Sequence, residues 1–515
     1  MSDEDILISF AQWQAWAETC TWLPLVRFCR QREIPPCWFS FWESSPRSLL
    51  LESGKAGRFT ILVPEVTQWI VGEEESARLF AVHEPSGKAE QKTTFAGSPI
   101  EVLRGWLRRN RGPRLPNLPP FSGGLAGAFS YDLVRSLEKL PSRAIKDIEF
   151  PLYTLAVVSE ALVYDHHQKS LYSIVWSPRP MLPGSTGLED AYAIATLTAQ
   201  KNESRWIVAE AKPFSGNKSP PPFTRENTAI SFPPEVTLNR AEFTRAAEEI
   251  QEYIASGDSY QVNLSIRETR PLSAAPELIY EKLRRINPSP YMALLRFPGW
   301  TLVSASPELL VRLVNGKLET RPIAGTRPRD HTGYSDQAMT EELVAHPKER
   351  AEHLMLVDLL RNDLGRVSRF GSVRVPDYMT TETYSHVIHI VSHVEGILAE
   401  GKDALDVLAA TFPGGTITGA PKIRTMEIIE ELEPARRGPY TGSIGWISFA
   451  GEMELNITIR TLLAAAGKAH VQAGAGIVAD SCPEREYDES LNKAKALWAA
   501  MQEAENAAIS HVPVP

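Results

Sequence analysis

Glutamates three residues apart occur at Glu349 and Glu352 and again at Glu486 and Glu489. On a helix this spacing puts both carboxylates of a pair on one face. Two such helices predict four carboxylates converging on a hard cation. Magnesium suits them, because it takes oxygen ligands and keeps waters or substrate oxygens in its shell. Lys493 lies one turn beyond the second pair. In residues 456–461 the alternation places Asn456, Thr458 and Arg460 on one strand face, with Ile457 and Ile459 on the other. Arginine can grip a carboxylate through two parallel hydrogen bonds. From residue types alone the expectation is a magnesium-dependent enzyme acting on a small carboxylate.

Specific elements must position these groups. Residues 348–365, KERAEHLMLVDLLRNDLG, are apolar on nearly every side after the first pair, which predicts a helix buried in the interior. Asp358, Arg361 and Asp363 interrupt that surface, and buried charge needs partners. Salt bridges to the neighbouring arginines are the plain reading for the Asp358 group. A helix over 484–503 carries the second pair. Strand-like runs flank Asn315-Gly316, the preferred pair for a two-residue hairpin turn. Val314 then faces Lys317, and the same register brings Glu308 opposite Ile323, beside residues 322–326. The glycine-rich loop 413–419, which includes Thr416, enters a helix near Pro421, where free N–H groups and Lys422 attract anions. The small residues Gly474 and Gly476 let backbone N–H groups approach a ligand. In 384–394, His386, His389 and His393 have spacings of three and four, so they cannot share one strand face. This argues against a histidine metal cluster and leaves a single functional histidine and a structural one as equal readings.

The chain has 515 residues, 43% hydrophobic and 23% charged, with net charge −9. With no long basic run, nucleic acid is not an expected partner. No run of eighteen apolar residues is present, and MSDEDILISF lacks a basic region ahead of an apolar core, so neither a membrane span nor a signal peptide is expected. Cys20, Cys29, Cys37 and Cys482 fit neither a zinc ribbon nor a redox pair, and read as reduced thiols of a cytoplasmic protein. Residues 48–53 and 57–63 predict two strands around a turn; 155–164 and 171–176 predict further strands. The proline-rich stretch near 211–236 predicts a linker. The expected organisation is an N-terminal region 1–210, the linker 211–236, a catalytic region 237–503 and a tail 504–515. Alternating strands with helices clustered between them predict an α+β fold with antiparallel sheets.

The segment from about 237 to 503 resembles the chorismate-binding enzymes, especially the first components of anthranilate synthase and aminodeoxychorismate synthase. The resemblance rests on SASPELLVRL, RPIAGTRPR, ERAEHLMLVDLLRND, GGTITGAPKIRTMEII, YTGSIGW, ITIRT and AGAGIVADS, all in order. LLLES, GRF and FSGGLAGAFSYD extend it more loosely into the N-terminal half. It implies a β-sandwich core wrapped by helices. It also implies that Glu352 and Glu489 hold magnesium, with Glu349 and Glu486 as direct or water-mediated ligands. Arg460, Tyr440 and the backbone of Gly474 and Gly476 would hold the enolpyruvyl carboxylate of chorismate. Lys493 and Thr326 would line the pocket, His389 would lie near the enolpyruvyl group, and Glu308 would be the general acid that protonates the departing 4-hydroxyl. Gln261 stands where water-using relatives carry lysine, which implies ammonia as nucleophile, delivered by a glutamine amidotransferase partner. Ala324 stands where many aminodeoxychorismate synthases carry a nucleophilic lysine. Residues 260–264, 414–415, 442–445 and 457–459 favour that branch all the same, whereas Ala324 and 472–476 lean to anthranilate. Leu51, Glu52 and Ser53 with Asn287, Pro288, Ser289, Pro290, Tyr291 and Met292 resemble a tryptophan-binding pocket.

Overall fold

The computed structural model describes residues 5–42, 45–54, 57–83, 87–180, 187–211, 234–328, 334–383 and 387–509. Most of the expected linker, 212–233, lies outside the described residues, as does His386. Among the described residues the strands form two antiparallel sheets of twelve strands each, flanked by helices. One hydrophobic cluster takes side chains from both, including Ile61, Ile174 and Leu302 from the first sheet and Leu125, Leu155 and Val311 from the second. This is the expected α+β sandwich.

Each sheet is shared by the two halves of the sequence. In the first, Ser48–Glu52 pairs with Tyr291–Phe297, with Leu51 opposite Ala293 and Glu52 opposite Met292. In the second, Gly124–Phe129 pairs with Ser443–Ser448, with Gly127 opposite Gly445. At that glycine pair no side chain fits: a Cβ on Gly127 would lie 2.1 Å from the Thr154 carbonyl oxygen, and one on Gly445 would lie 2.0 Å from that of Glu454.

Several expectations change on contact with the structure. The stretch 155–164 is two strands rather than one, Tyr153–Val158 in the second sheet and Glu160–Asp165 in the first, so the chain crosses between sheets at Ser159. Residues 456–461 are likewise not one strand. Met453–Asn456 belongs to the second sheet and Thr461–Ala465 to the first, and the crossover leaves Arg460 in the left-handed region at φ 51°. The Asn315-Gly316 turn has φ of 52° and 74°, and Val314 faces Lys317 as expected. At the hairpin's open end, however, Ile323 leaves its neighbour and pairs with Val391.

The helix Pro347–Gly365 is not buried all round: Leu354, Asp358 and Arg361 face solvent, and Asp358 pairs with Arg361 at 3.0 Å. Asp363 is buried and takes Lys422 at 2.6 Å, so that lysine is not available to an anion at the start of helix Lys422–Leu432. The C-terminal helix runs Pro483–Ile509, and Ala504 is buried, so the first part of the expected tail belongs to the core.

Just after helix Lys422–Leu432 lies a fully buried ion pair. Arg437 Nε donates to Glu433 Oε2 at 2.9 Å and Nη2 to Oε1 at 2.7 Å. Glu433 Oε1 also accepts from Ser265 N at 3.0 Å and Ser265 Oγ at 2.7 Å. The guanidinium donates further to the carbonyls of Ile417 at 2.9 Å and Asn263 at 2.7 Å, and it sits over the rings of Tyr131 and Tyr440. Four segments thus converge on one charge pair. Removing one partner strands the other charge without water, which costs about 3–5 kcal/mol. Glu433→Ala is therefore expected to lower unfolding stability by about that amount, measured as a fall in the urea midpoint against wild type.

Candidate functional site

The chemistry-bearing residues gather at one end of strands Gln261–Pro271 and Lys468–Ile477, which are antiparallel neighbours in the first sheet. Gln261, on the first, donates from Nε2 to Glu352 Oε1 at 3.2 Å and lies over Gly476, where a Cβ would come within 2.2 Å of that nitrogen. Lys493, on the C-terminal helix, donates to the carbonyl of Gly474 at 2.9 Å and pairs with Glu489 at 2.8 Å. Each glutamate helix thus reaches the same pair of strands. Glu349 approaches Gly325, whose added Cβ would meet Glu349 Oε2 at 2.9 Å. Glu486 is half-buried, one turn before Glu489. No three of these four carboxylates come within 4.8 Å of one another. Among the described residues the group that does is Glu319, His393 and Glu395, but the Lys317 ammonium already pairs with both of its glutamates, at 2.9 and 2.7 Å.

Glu308 is buried, and the Thr416 hydroxyl donates to its Oε1 at 2.7 Å. Burial raises its pKa to about 7, against the opposing pull of the Thr416 hydrogen bond and the Lys493 charge. The hairpin therefore brings Glu308 to the glycine-rich loop rather than to Ile323. Arg460 makes no ion pair or side-chain hydrogen bond among the described residues. Burial lowers its pKa while Tyr440 and Glu489 oppose that shift, so it lies within electrostatic reach of both. His389 Nδ1 is 3.1 Å from the carbonyl oxygen of Gly325. A carbonyl only accepts, so Nδ1 carries the proton and Nε2 is the basic nitrogen; burial lowers the ring's pKa against the opposing hydrogen bond to Gly325. Thr326 pairs with His389 in the sheet, and its side chain lies outside the described residues.

The N-terminal half helps build this end. Ser130 Oγ and Tyr131 N donate to the carbonyl of Gly438 at 2.8 and 2.7 Å, and Gly438 N donates to Asp132 at 3.3 Å, which fixes the turn that presents Tyr440. These residues sit in the FSYD stretch, which the family resemblance reached but whose polar role the sequence did not reveal. Glu433, Arg437 and Asn263 were also missed; Asn263 shares a strand face with Gln261, so period-two alternation could have found it.

The segments likened to a tryptophan pocket do meet. Gly54 N donates to the carbonyl of Ser289 at 3.0 Å, and Glu52 lies opposite Met292. The Glu52 carboxylate is buried and already bound by Tyr280 Oη at 2.6 Å and by the Arg284 guanidinium.

Two sheets shared by both sequence halves, with the reactive groups at one end of the first, are the architecture of the anthranilate synthase component I fold. The solved structure of that protein from Streptococcus pneumoniae TIGR4 superposes with a TM-score of 0.70 at 32% identity, covering 87% of this chain and 93% of that one. The chain belongs to the chorismate-binding enzyme family, whose model matches residues 51–499. Aminodeoxychorismate synthase component 1 of Bacillus subtilis is 43% identical over 470 residues, 90% of this chain and 93% of that protein. Anthranilate synthase component 1 of Acetivibrio thermocellus is 42% identical over 481 residues, 92% and 93% respectively. No helix among the described residues is long and apolar enough to cross a membrane.

The Glu308 carboxyl is expected to be neutral below pH 7 and to ionise as pH rises through about 7. Infrared difference spectra of wild type against Glu308→Gln would show its protonated carbonyl band fading there. Loss of the band near the ordinary glutamate value of about 4.3 would contradict the burial argument.

Proposed function

We propose that this chain aminates chorismate to 4-amino-4-deoxychorismate, using ammonia released by a separate glutamine amidotransferase subunit. The observation that carries the reading is Glu308, a buried carboxyl raised to about pH 7 and so able to act as an acid at neutral pH. Its proton goes to the departing 4-hydroxyl as the ring C–O bond breaks, and water leaves. The ammonia lone pair forms the new C–N bond. The nitrogen then sheds its extra proton, which restores the acid form of Glu308. Gln261 is neutral and engaged with Glu352, so it is no base for water, and Ala324 offers no nucleophile for a covalent route. Arg460 and Tyr440, with the backbone of Gly474 and Gly476, hold the enolpyruvyl carboxylate. Lys493 and Thr326 line the pocket, and His389 stands by the enolpyruvyl group.

Glu352 and Glu489, with Glu349 and Glu486, would hold magnesium. What supports this is the chemistry of the donor set, which is all carboxylate oxygen; Glu352 would have to exchange its Gln261 contact, and Glu489 its Lys493 contact, for the ion. When bound, the ion supplies a Lewis-acid grip on the ring carboxylate. The relatives' names designate a component 1, which supports a partner subunit. Tryptophan, on this reading, sits where residues 51–53 meet 287–292.

The choice of product rests on residues 260–264, 414–415, 442–445 and 457–459. Ala324 and residues 472–476 favour a second reading, anthranilate with release of pyruvate. Incubating the chain with chorismate, magnesium and ammonium separates the two. The expected product becomes 4-aminobenzoate only after the matching lyase is added; direct formation of fluorescent anthranilate would overturn the assignment. Glu352→Gln or Glu489→Gln is expected to lower magnesium-dependent turnover at least about tenfold, with thermal unfolding little changed. Full activity in both variants would remove the metal assignment.

A further inference from the structure

A cavity of about 20 Å³ lies behind the turn that presents Tyr440. It is lined by Arg267 and Gln472 on the paired strands Gln261–Pro271 and Lys468–Ile477, by Thr458 on the crossover between the sheets, and by Tyr440 itself. A single water needs roughly 10–15 Å³ of such space. Three of these residues each carry a buried polar atom with no hydrogen-bond partner among the described residues: Arg267 Nε, Gln472 Oε1 and Thr458 Oγ1. The residues are 5%, 8% and 1% exposed, so bulk solvent does not satisfy them. Buried polar atoms without partners are rare and call for a reason.

What each residue offers the cavity follows from what its other groups do. Ser265 Oγ gives its one proton to the Glu433 carboxylate, which only accepts. Toward Gln472, 2.8 Å away, Ser265 Oγ must therefore accept, so the Gln472 nitrogen faces Ser265 and the oxygen is the free end. Arg267 spends Nη2 on Asp147 and Nη1 on the Arg436 carbonyl at 3.4 Å, which leaves Nε–H. The Thr458 N–H donates to the Gly442 carbonyl at 2.9 Å and its carbonyl accepts from Thr441 N at 2.8 Å, which leaves the hydroxyl. Arg437 lines the cavity too, but its nitrogens are taken by Glu433, Ile417 and Asn263. The cavity thus offers one donor, one acceptor and one group that can be either. An anion would meet the amide oxygen and a cation the guanidinium, so neither ion suits it. Water does: it accepts from Arg267, donates to Gln472 and makes its third bond with Thr458, the usual number for a buried water.

We propose that this cavity binds one ordered water, bonded to Arg267 Nε, Gln472 Oε1 and Thr458 Oγ1. The water ties the crossover to the first sheet two residues before Arg460, and it lies against Tyr440. Thr458 is thereby a positioning residue for the guanidinium and the phenol that receive the enolpyruvyl carboxylate. This effect on substrate rests on the carboxylate placement given above; the water site does not.

The test joins crystallography of the full chain to steady-state consumption of chorismate at saturating magnesium and ammonium. Wild-type density is expected to show one water bridging the three atoms. Thr458→Val keeps the branched shape without the hydroxyl; it is expected to lose the water and to raise KM for chorismate at least about threefold, the loss of one hydrogen bond, with kcat nearly unchanged. Thr458→Ser is expected to restore both the water and KM. A wild-type crystal with no water there overturns the site, whether or not the variants fold. A wild-type KM in Thr458→Val overturns the tie to Arg460, as does an equal loss of kcat that serine fails to rescue. Arg460→Gln with unchanged KM overturns the carboxylate placement instead, while the water would still be found.

Discussion

The bidentate pair between Glu433 and Arg437 constrains more of this molecule than any other single contact described. Neither charge reaches water, so each must be satisfied where it lies. Glu433 does this by accepting from Ser265 on a central strand, and Arg437 by donating to that same strand at Asn263 and to the glycine-rich loop at Ile417. The strand bearing Gln261, the loop bearing Thr416 and the turn bearing Tyr440 are therefore referenced to one another through one guanidinium. Helix propensity and hydrophobic burial alone would tolerate small slips among these pieces, whereas a planar five-donor group with fixed acceptors does not.

Around this pair the reactive groups divide by environment. Glu308 is buried, which raises its pKa to about 7, while Glu489 stays partly in water beside Lys493. Among the described residues Arg460 makes no ion pair, and the left-handed backbone at the sheet crossover sets where its side chain starts. Placing a long side chain at a strained crossover costs local energy. In return, a guanidinium reaches a place where neither sheet would present one.

Local chemistry was legible in the sequence and long-range geometry was not. The Asn315-Gly316 turn fixed its own register, because a two-residue hairpin needs positive φ at both positions and those residues allow it. The Glu349–Glu352 face followed from spacing. The sheet crossovers at Ser159 and at residues 457–460 were read as continuous strand, since alternation persists while the chain passes from one sheet to the other. The helix carrying Glu352 looked buried because Leu354 is apolar, yet Leu354 faces solvent. Glu433 and Arg437 resembled an ordinary surface pair four residues apart. Nothing local distinguishes such a pair from one that two sheets and a loop have enclosed. The family likeness supplied the list of site residues; the structure supplied partners for Glu308, Gln261, Glu352, His389, Glu489 and Lys493.

The two joints between sequence halves bear on how this chain could be shortened or rearranged. Residues 234–509 hold nearly every group at the reactive end, so a gene fragment encoding them would look sufficient on paper. Such a fragment would expose the edge at Tyr291–Phe297 and the edge at Ser443–Ser448, both apolar and both stripped of their ladder partners. Bare edges of this kind recruit other chains. It would also lack Ser130 and Asp132, and with them the hold on the turn at Gly438. The N-terminal half is thus not an appendage that lineages could gain or drop freely, and a minimal version of this catalyst would have to redesign both seams.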